Sequence, residues 1–240
     1  MEINKIYNEN CLETMKRMED CSIDCIITSP PYNKKGLNGN KKIGNQIWGK
    51  FNIDYDEYLD SLPEEKYQEY MIQILNEMNR VVKNNGSIFF NHKPRRFNNK
   101  TYLPTEFIHK SNCKIYQLII WNRKNSPNIR NDILIPNTEH IYWICKSKPT
   151  VFRNKIEKNY IGEVWDIIAQ KQKNHPAPFP EKLVDNLIKL TCSDKFIIYD
   201  PFMGSGTTAK VAIENNCCYI GSEISKEYCN IAEERISGLR

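Results

Sequence analysis

Short apolar runs alternate along the chain with longer segments in which apolar residues recur at helical spacing. The runs predict strands at residues 3–8, 23–28, 87–91, 115–121, 139–146, 195–200 and 217–223. The longer segments predict helices at residues 11–18, 63–83, 105–111, 180–192, 207–216 and 226–236. Strands that alternate with helices indicate an α/β fold, a mostly parallel sheet with helices on both faces.

The size of the chain favours one domain. A chain of 240 residues with 40% hydrophobic content can bury one substantial core. We therefore assign residues 1–240 to a single domain. Two polar segments interrupt its pattern, a basic loop at 34–60 and a mixed, basic segment at 146–174.

Positive charge is concentrated in two stretches, although the net charge is only +5. Residues 33–53 contain five lysines and no acid, and residues 91–130 contain nine basic residues against Glu106 alone. Such a local excess is typical of a surface that binds a polyanion, and solvated loops are the alternative. His92 lies inside the second stretch, where it is expected to touch a phosphate or to be exposed.

The nine cysteines form no CxxC pair and no zinc-spaced pattern with histidine, so no metal site is predicted. The sequence shows no signal peptide and no apolar stretch of membrane length. These features predict a cytoplasmic protein that does not enter a membrane.

A rigid, extended segment follows the run at 23–28. In Ser29-Pro30-Pro31-Tyr32 the two prolines fix the backbone, and their carbonyls have no neighbouring strand from which to accept hydrogen bonds. We call these four residues the proline tongue. They place a hydroxyl, free carbonyls and an aromatic ring where a ligand could meet them.

A second motif, DPFMGSGTT at residues 200–208, ends one strand and begins one helix. We call residues 201–206 the glycine loop, because Gly204 and Gly206 allow a tight turn close to a ligand. The next strand ends at Glu223, whose carboxylate can bond the two hydroxyls of a ribose. Together with Asp200, these residues predict an adenosine-bearing cofactor held without a phosphate cradle.

The two motifs, with HPAPFPEKLV at 175–184 between them, resemble those of the DNA amino-methyltransferases across nearly the whole chain. The motif order is similar to the permuted beta group of that family. The resemblance implies a seven-stranded sheet with one antiparallel strand (class I methyltransferase, Rossmann-like), in which the first two strands neighbour strand 195–200. It also implies S-adenosylmethionine as the cofactor, double-stranded DNA as the partner and a flipped-out target base.

The resemblance assigns roles to individual residues. The proline tongue, Ser29, Pro30, Pro31 and Tyr32, would be catalytic, with Ser29 and Pro30 accepting from the target amine and Tyr32 stacking on the base. The residues expected to bind the cofactor are Asn10, His175, Phe179, Asp200, Phe202, Gly204, Gly206, Thr207 and Glu223. At Asn10 this chain departs from the family, which usually has aspartate there. No histidine or carboxylate next to the tongue suggests itself as a base, and Gly206→Val is expected to block the cofactor while leaving the fold largely intact.

The target and the partners are less closely defined by the sequence. The residues expected to contact DNA are Lys34, Lys35, Lys41, Lys42, Lys93, Arg95, Arg96 and Arg123, with 146–174 as a small target-recognition segment. Cytosine N4 is favoured over adenine N6 because serine precedes Pro-Pro-Tyr. Methylation of RNA or of a protein amide, and DNA binding without catalysis, are competing hypotheses. A cognate restriction endonuclease and a second copy of the chain stay open as partners.

Overall fold

The computed structural model describes residues 1–33, 62–97, 99–124, 131, 133–168 and 179–239. Their strands are β1 (Lys5–Tyr7), β2 (Ile23–Thr28), β3 (Val82–His92), β4 (Arg95–Phe97), β5 (Lys100–Tyr102), β6 (Ile115–Asn122), β7 (Thr138–Ile144), β8 (Val164–Asp166), β9 (Ile197–Asp200) and β10 (Cys218–Ser222). The α-helices are α1 (Cys11–Lys16), α2 (Glu64–Val81), α3 (Thr105–Ile108), α4 (Glu181–Thr191), α5 (Thr207–Glu214) and α6 (Lys226–Ser237).

One mixed sheet contains most of these strands, in the order β1-β10-β9-β2-β3-β7-β6-β8. Only β7 runs antiparallel to its neighbours among the strands described in this sheet. All seven predicted strands are present, and the sheet has an eighth, β8, at its edge. The sequence pattern missed β8 because it is three residues long and buries only Trp165.

The helices pack on both faces of the sheet, as predicted. Alternate residues of the central strands face opposite layers: Ile26, Ile88 and Phe90 pack with α1, α2 and α3, whereas Ile27 and Phe89 pack with α4, α5 and α6. Both faces of these strands are therefore buried. This explains why their sequences are continuous apolar runs and do not alternate between apolar and polar residues.

Two local predictions need correction. Strand β2 pairs with β9 as expected, but β1 pairs with β10 and so lies one strand further from β9. The helix predicted at 63–83 ends at Val81, and β3 begins directly at Val82, before the strand predicted at 87–91. Gly86 lies within β3, where the absence of a side chain allows close approach to β2. A Cβ at Gly86 would lie 2.6 Å from the Asp24 carbonyl oxygen.

No helix among the described residues is long and apolar enough to cross a membrane.

A buried carboxylate joins three elements at the centre of the sheet. Asp200, at the end of β9, accepts from the Thr28 hydroxyl at the end of β2 (2.8 Å), from the Phe202 N–H (3.0 Å) and from the Thr208 hydroxyl in α5 (2.6 Å). Burial raises its pKa to about 6, although these hydrogen bonds favour the charged form. Asp200 therefore holds the glycine loop in place and ties it to the strand that leads into the proline tongue.

Gly206 has a packing role that its sequence context did not reveal. Its φ is +80°, and a Cβ there would lie 2.8 Å from the Ala232 Cβ and 3.0 Å from the Ala232 Cα in α6. The absent side chain is what lets α5 and α6 approach each other. The expectation that Gly206→Val would leave the fold largely intact is therefore wrong.

We predict that Gly206→Ala lowers the free energy of unfolding by about 1–3 kcal/mol, because it combines a left-handed backbone with overpacking. Urea denaturation with an unchanged slope is the measurement. Gly162→Ala is the matched control, because a Cβ at Gly162 would meet nothing within 4 Å. Equal stability of the two variants would contradict the packing role of Gly206.

We also predict a stability change with pH that belongs to Asp200. Between its ordinary pKa of 3.8 and about 6, the folded protein keeps a proton that the unfolded chain has released. The stability that this group contributes is therefore full below pH 4 and is lost as the pH rises through 6, by at most ~3 kcal/mol. The unfolding free energy of the wild type minus that of Asp200→Asn should fall across this window. Asp166 is the control, an exposed carboxylate whose pKa is lowered by Lys124. The unfolding free energy of the wild type minus that of Asp166→Asn should stay level above pH 4.

Candidate active site

At the crevice between β2 and β9, the helices that connect the strands change from one face of the sheet to the other. The first helix described after β2, α2, packs on one face, whereas the helix after β9, α5, packs on the other. Open α/β sheets bind their ligands outside the carboxyl ends of the strands at such a switch point. The proline tongue leaves β2 and the glycine loop leaves β9, so both motifs flank this crevice.

Glu223, after β10, supplies a buried carboxylate beside the glycine loop. It is 6% exposed, its Oε2 accepts from the Gly204 N–H and its Oε1 accepts from the Ser225 N–H, each at 2.9 Å. Burial raises the pKa of Glu223 above its usual value. Each carboxylate oxygen has room for a second hydrogen bond, so the group fits the two hydroxyls of a ribose.

The other residues expected at the cofactor have mixed positions. Phe202, in the glycine loop, is partly buried, and Phe179 packs against Trp121 with ring centroids 6.4 Å apart. The Thr207 hydroxyl is buried and accepts from Arg235 at 3.0 Å, so it faces α6. Asn10 caps α1 by accepting from the Leu12 N–H at 2.9 Å. His175 lies outside the described residues.

The hydroxyl of Tyr67 in α2 anchors the proline tongue. It donates to the Pro31 carbonyl at 2.7 Å and lies 2.8 Å from His92 Nε2. His92 is fully buried, so the expectation that it touches a phosphate or lies exposed is wrong. No donor among the described residues bonds the carbonyl of Pro30, which is itself a buried residue.

Ser29 and Tyr32 belong to a polar cluster that the sequence did not predict. The Ser29 Oγ lies 2.8 Å from the Tyr32 Oη, which donates to Glu139 Oε2 at 2.9 Å. The Asn91 amide nitrogen lies 2.8 Å from Tyr32 Oη, 2.9 Å from Glu139 Oε2 and 3.3 Å from Ser29 Oγ. We call Ser29, Tyr32, Asn91 and Glu139 the tongue cluster.

Glu139 is a charged group buried next to the tongue. It is 6% exposed, and its Oε1 accepts from Arg123 at 2.7 Å. Burial alone would disfavour the charge, but Lys93, Asn91 and Arg123 outweigh it and lower the pKa of Glu139 below its usual value. Burial, followed by the nearby Glu139 charge, raises the pKa of Tyr32 well above its usual value. At neutral pH the cluster therefore holds a carboxylate and a neutral phenol.

The sequence interpretation found no carboxylate beside the tongue, and Glu139 corrects it. Glu139 is the second residue of the antiparallel strand β7, whose first residues meet the last residues of β3, with His92 opposite His140. An antiparallel strand brings its amino end to the edge where parallel strands bring their carboxyl ends. Recognising that β7 is antiparallel would have placed Glu139 beside Asn91 and the tongue.

The residues expected to contact DNA separate into three groups. Arg96 is exposed, and the Lys93 Nζ lies 5.6 Å from the centroid of the Tyr32 ring. Arg95 is 5% exposed and its two terminal nitrogens donate to Glu64 at 2.6 and 2.7 Å, and Arg123 is committed to Glu139. Each arginine thus neutralises a carboxylate, partly buried Glu64 or buried Glu139, and is engaged within the protein instead of being free to contact DNA as predicted. Lys34, Lys35, Lys41 and Lys42 lie outside the described residues.

Comparison with known proteins agrees with this geometry. The chain is 25% identical to the Type II methyltransferase M.BglII of Bacillus subtilis, over 98% of this chain and 69% of the relative. The fold is similar to the structure titled PvuII DNA methyltransferase (cytosine-N4-specific), with a TM-score of 0.78 at 19% identity, covering 98% of this chain and 86% of the other. It also resembles TTHA0409 of Thermus thermophilus in complex with S-adenosyl-L-methionine, with a TM-score of 0.69 at 19% identity, covering 98% and 95%.

A family model described as DNA methylase, N6_N4_Mtase, matches residues 23–234, which include the proline tongue, the tongue cluster and the glycine loop. The protein belongs to this DNA methylase family and is an S-adenosylmethionine-dependent DNA methyltransferase.

Proposed function

We propose that this protein methylates an exocyclic amine of a base flipped out of double-stranded DNA, with cytosine N4 as the favoured target. The observation that carries the proposal is the position of the Ser29 hydroxyl and the Pro30 carbonyl, two acceptors at the crevice that also contains Glu223. They stand where a base amine could meet a methyl donor. The hydrogen bond from the Thr28 hydroxyl to Asp200, at the ends of the paired strands β2 and β9, joins the two sides of that crevice.

The acceptors would prepare a poor nucleophile. The lone pair of a base amine is delocalised into the ring, so the amine attacks only weakly. Acceptors on its two hydrogens favour a pyramidal nitrogen and free the lone pair, and fixed dipoles do so without reorganising. The Tyr67 bond to Pro31 and the tongue cluster hold both acceptors in place, which keeps the reacting atoms aligned.

Tyr32 would hold the flipped base with its ring. The hydroxyl of Tyr32 is tied to Ser29, Asn91 and Glu139, and its ring lies 4.6 Å from the His92 ring. The ring is thus fixed before a base arrives, so stacking costs little side-chain entropy. A base on such a ring gains about 1–3 kcal/mol, which offsets part of the cost of flipping.

The cofactor side of the crevice would be held by the residues after β9 and β10. S-adenosylmethionine, when bound, supplies an electrophilic methyl group on its sulfonium. Glu223 would bond its ribose, the loop around Phe202 and Gly204 would lie along its nucleoside, and 175–184 would meet its methionine end. Three of the predicted cofactor residues would fix the shape of the loop without touching the cofactor. The Asp200 carboxylate and the Thr207 hydroxyl already accept hydrogen bonds within the protein, and Gly206 packs against α6.

The DNA side is proposed from charge. Arg96 and Lys93 would face the duplex together with the basic loop 34–60, and 146–174 would help to read the target sequence. Part of that segment forms β8 and so belongs to the sheet. The Type II methyltransferase among the relatives supports a role beside a restriction endonuclease.

Two observations favour cytosine over adenine. Ser29 is the residue before Pro-Pro-Tyr, and a structure of similar fold carries the description cytosine-N4-specific. Nucleoside mass spectrometry of DNA from cells expressing the protein tests the proposal. N4-methylcytosine is expected; N6-methyladenine alone would move the target to adenine. Methylation of RNA or protein but not of DNA would overturn the proposed substrate.

We predict that Ser29→Ala and Glu223→Gln fail in different ways. Ser29→Ala should lower the single-turnover methylation rate about 10²–10³-fold, because one preorganised acceptor is lost. Its affinity for S-adenosylhomocysteine, measured by calorimetry, should stay the same. Glu223→Gln should weaken that affinity about 10-fold or more, because a charged acceptor is lost. A Ser29→Ala variant with full activity would remove the tongue from the catalytic site.

We predict that DNA affinity falls steeply with salt and that Arg96 and the lysines of the segment 34–60 set part of the slope. Each phosphate contact contributes about −0.9 to the slope of log K against log salt concentration. Replacing Lys41, Lys42 and Arg96 with glutamine should flatten the slope by up to about three such contacts. Lys5→Gln, at the amino end of the edge strand β1 and outside both basic stretches of the sequence, is the control. A slope equal to that of the control would mean that these three charges face solvent only.

A further inference from the structure

We propose that Glu139 receives the proton that the target amine loses, through a relay formed by Ser29 and Tyr32. The inference rests on the proposed function and adds to it a proton acceptor. The tongue, by itself, provides only oxygens that hold the amine. The described residues within hydrogen-bond reach of the tongue include one carboxylate, and it belongs to Glu139.

The direction of each hydrogen bond in the relay follows from chemistry. An ionised carboxylate only accepts, so the Tyr32 hydroxyl donates to Glu139 Oε2 at 2.9 Å. The Tyr32 oxygen then accepts from the Ser29 hydroxyl at 2.8 Å. Ser29 has therefore turned its proton inward, and an oxygen lone pair is left for the amine. All protons of the relay already point towards Glu139.

The proton transfer balances along this chain. Methyl transfer forms the N–C bond, breaks the S–C bond and leaves a positive charge on the base amine. The amine N–H then breaks as Ser29 gains a proton, Ser29 passes its own proton to Tyr32, and Tyr32 passes its own to Glu139. Both hydroxyls end neutral and the Glu139 carboxylate becomes a carboxylic acid. A weak base suffices, because an amine with a delocalised lone pair holds its extra proton poorly.

The charges around Glu139 suit an acceptor of modest strength. Lys93 after β3 and Arg123 after β6 keep it ionised before the reaction, Tyr32 faces it from the tongue, and His140 is its neighbour on β7. Burial excludes water from the carboxylate, which is 6% exposed. Without the relay, the proton would have to leave through the crevice.

The decisive measurement is the single-turnover methylation rate against pH from 6 to 9. The wild type should be level over this range. Glu139→Gln keeps the size of the side chain but cannot take the proton, so its rate should fall about 10²-fold at pH 7.5 and should rise with pH as hydroxide becomes the acceptor. Tyr32→Phe keeps the ring and should show the same dependence. The double variant should be no slower than the slower single variant, because both changes break one chain.

Binding measurements separate this role from simple support of the tongue. The affinities of Glu139→Gln for S-adenosylhomocysteine and for DNA should stay within about twofold of wild type. Glu234→Gln, an exposed position near the end of α6, controls for the loss of a carboxylate. A wild-type rate in Glu139→Gln, or a slower rate that stays level with pH, would overturn the relay and leave the proposed function standing. A wild type that methylates no DNA would overturn both.

Discussion

The hydrogen bond from Thr28 to Asp200 is the contact on which the site depends. Thr28 and Asp200 lie 172 residues apart in the chain, and their contact joins the strand before the tongue to the strand before the glycine loop. Within the described part of the chain, Asp200 satisfies its buried oxygens through these strand, loop and helix donors. A buried acid left without its hydrogen-bond partners would cost several kcal/mol. The pairing of β2 with β9 and the shape of the glycine loop are therefore both required to satisfy Asp200.

Local sequence patterns predicted most of the fold because both faces of the sheet are buried. Each central strand is an apolar run, each helix has an apolar stripe, and the two motifs stand at strand ends where backbone geometry demands proline or glycine. The edge of the sheet was harder: β8 buries only Trp165 and owes its place to pairing with β6, which no local pattern encodes.

The sequence identified candidate site residues whose position depends on a local motif. It missed those whose position depends on residues distant in the chain. Ser29, Pro30 and Glu223 lie at the crevice because of local motifs. Glu139 reaches it through the antiparallel register of β7, and Arg95 leaves the basic surface because Glu64 lies beside it. Composition shows that a segment is basic, but only the fold shows which of its charges are already paired.

The tongue cluster couples the neutral Ser29 hydroxyl, the catalytic group in our proposal, to a buried charge. A carboxylate at that position would accept a charge-assisted hydrogen bond directly, about twice as strong as a neutral one. Here the charge sits two hydrogen bonds away, on Glu139, and polarises Tyr32 and then Ser29 through a buried chain in which each bond strengthens the next. Lys93 and Arg123 keep that charge ionised in a dry site. Two of the basic residues that the sequence assigned to a DNA surface thus set the electrostatics around the Ser29 hydroxyl.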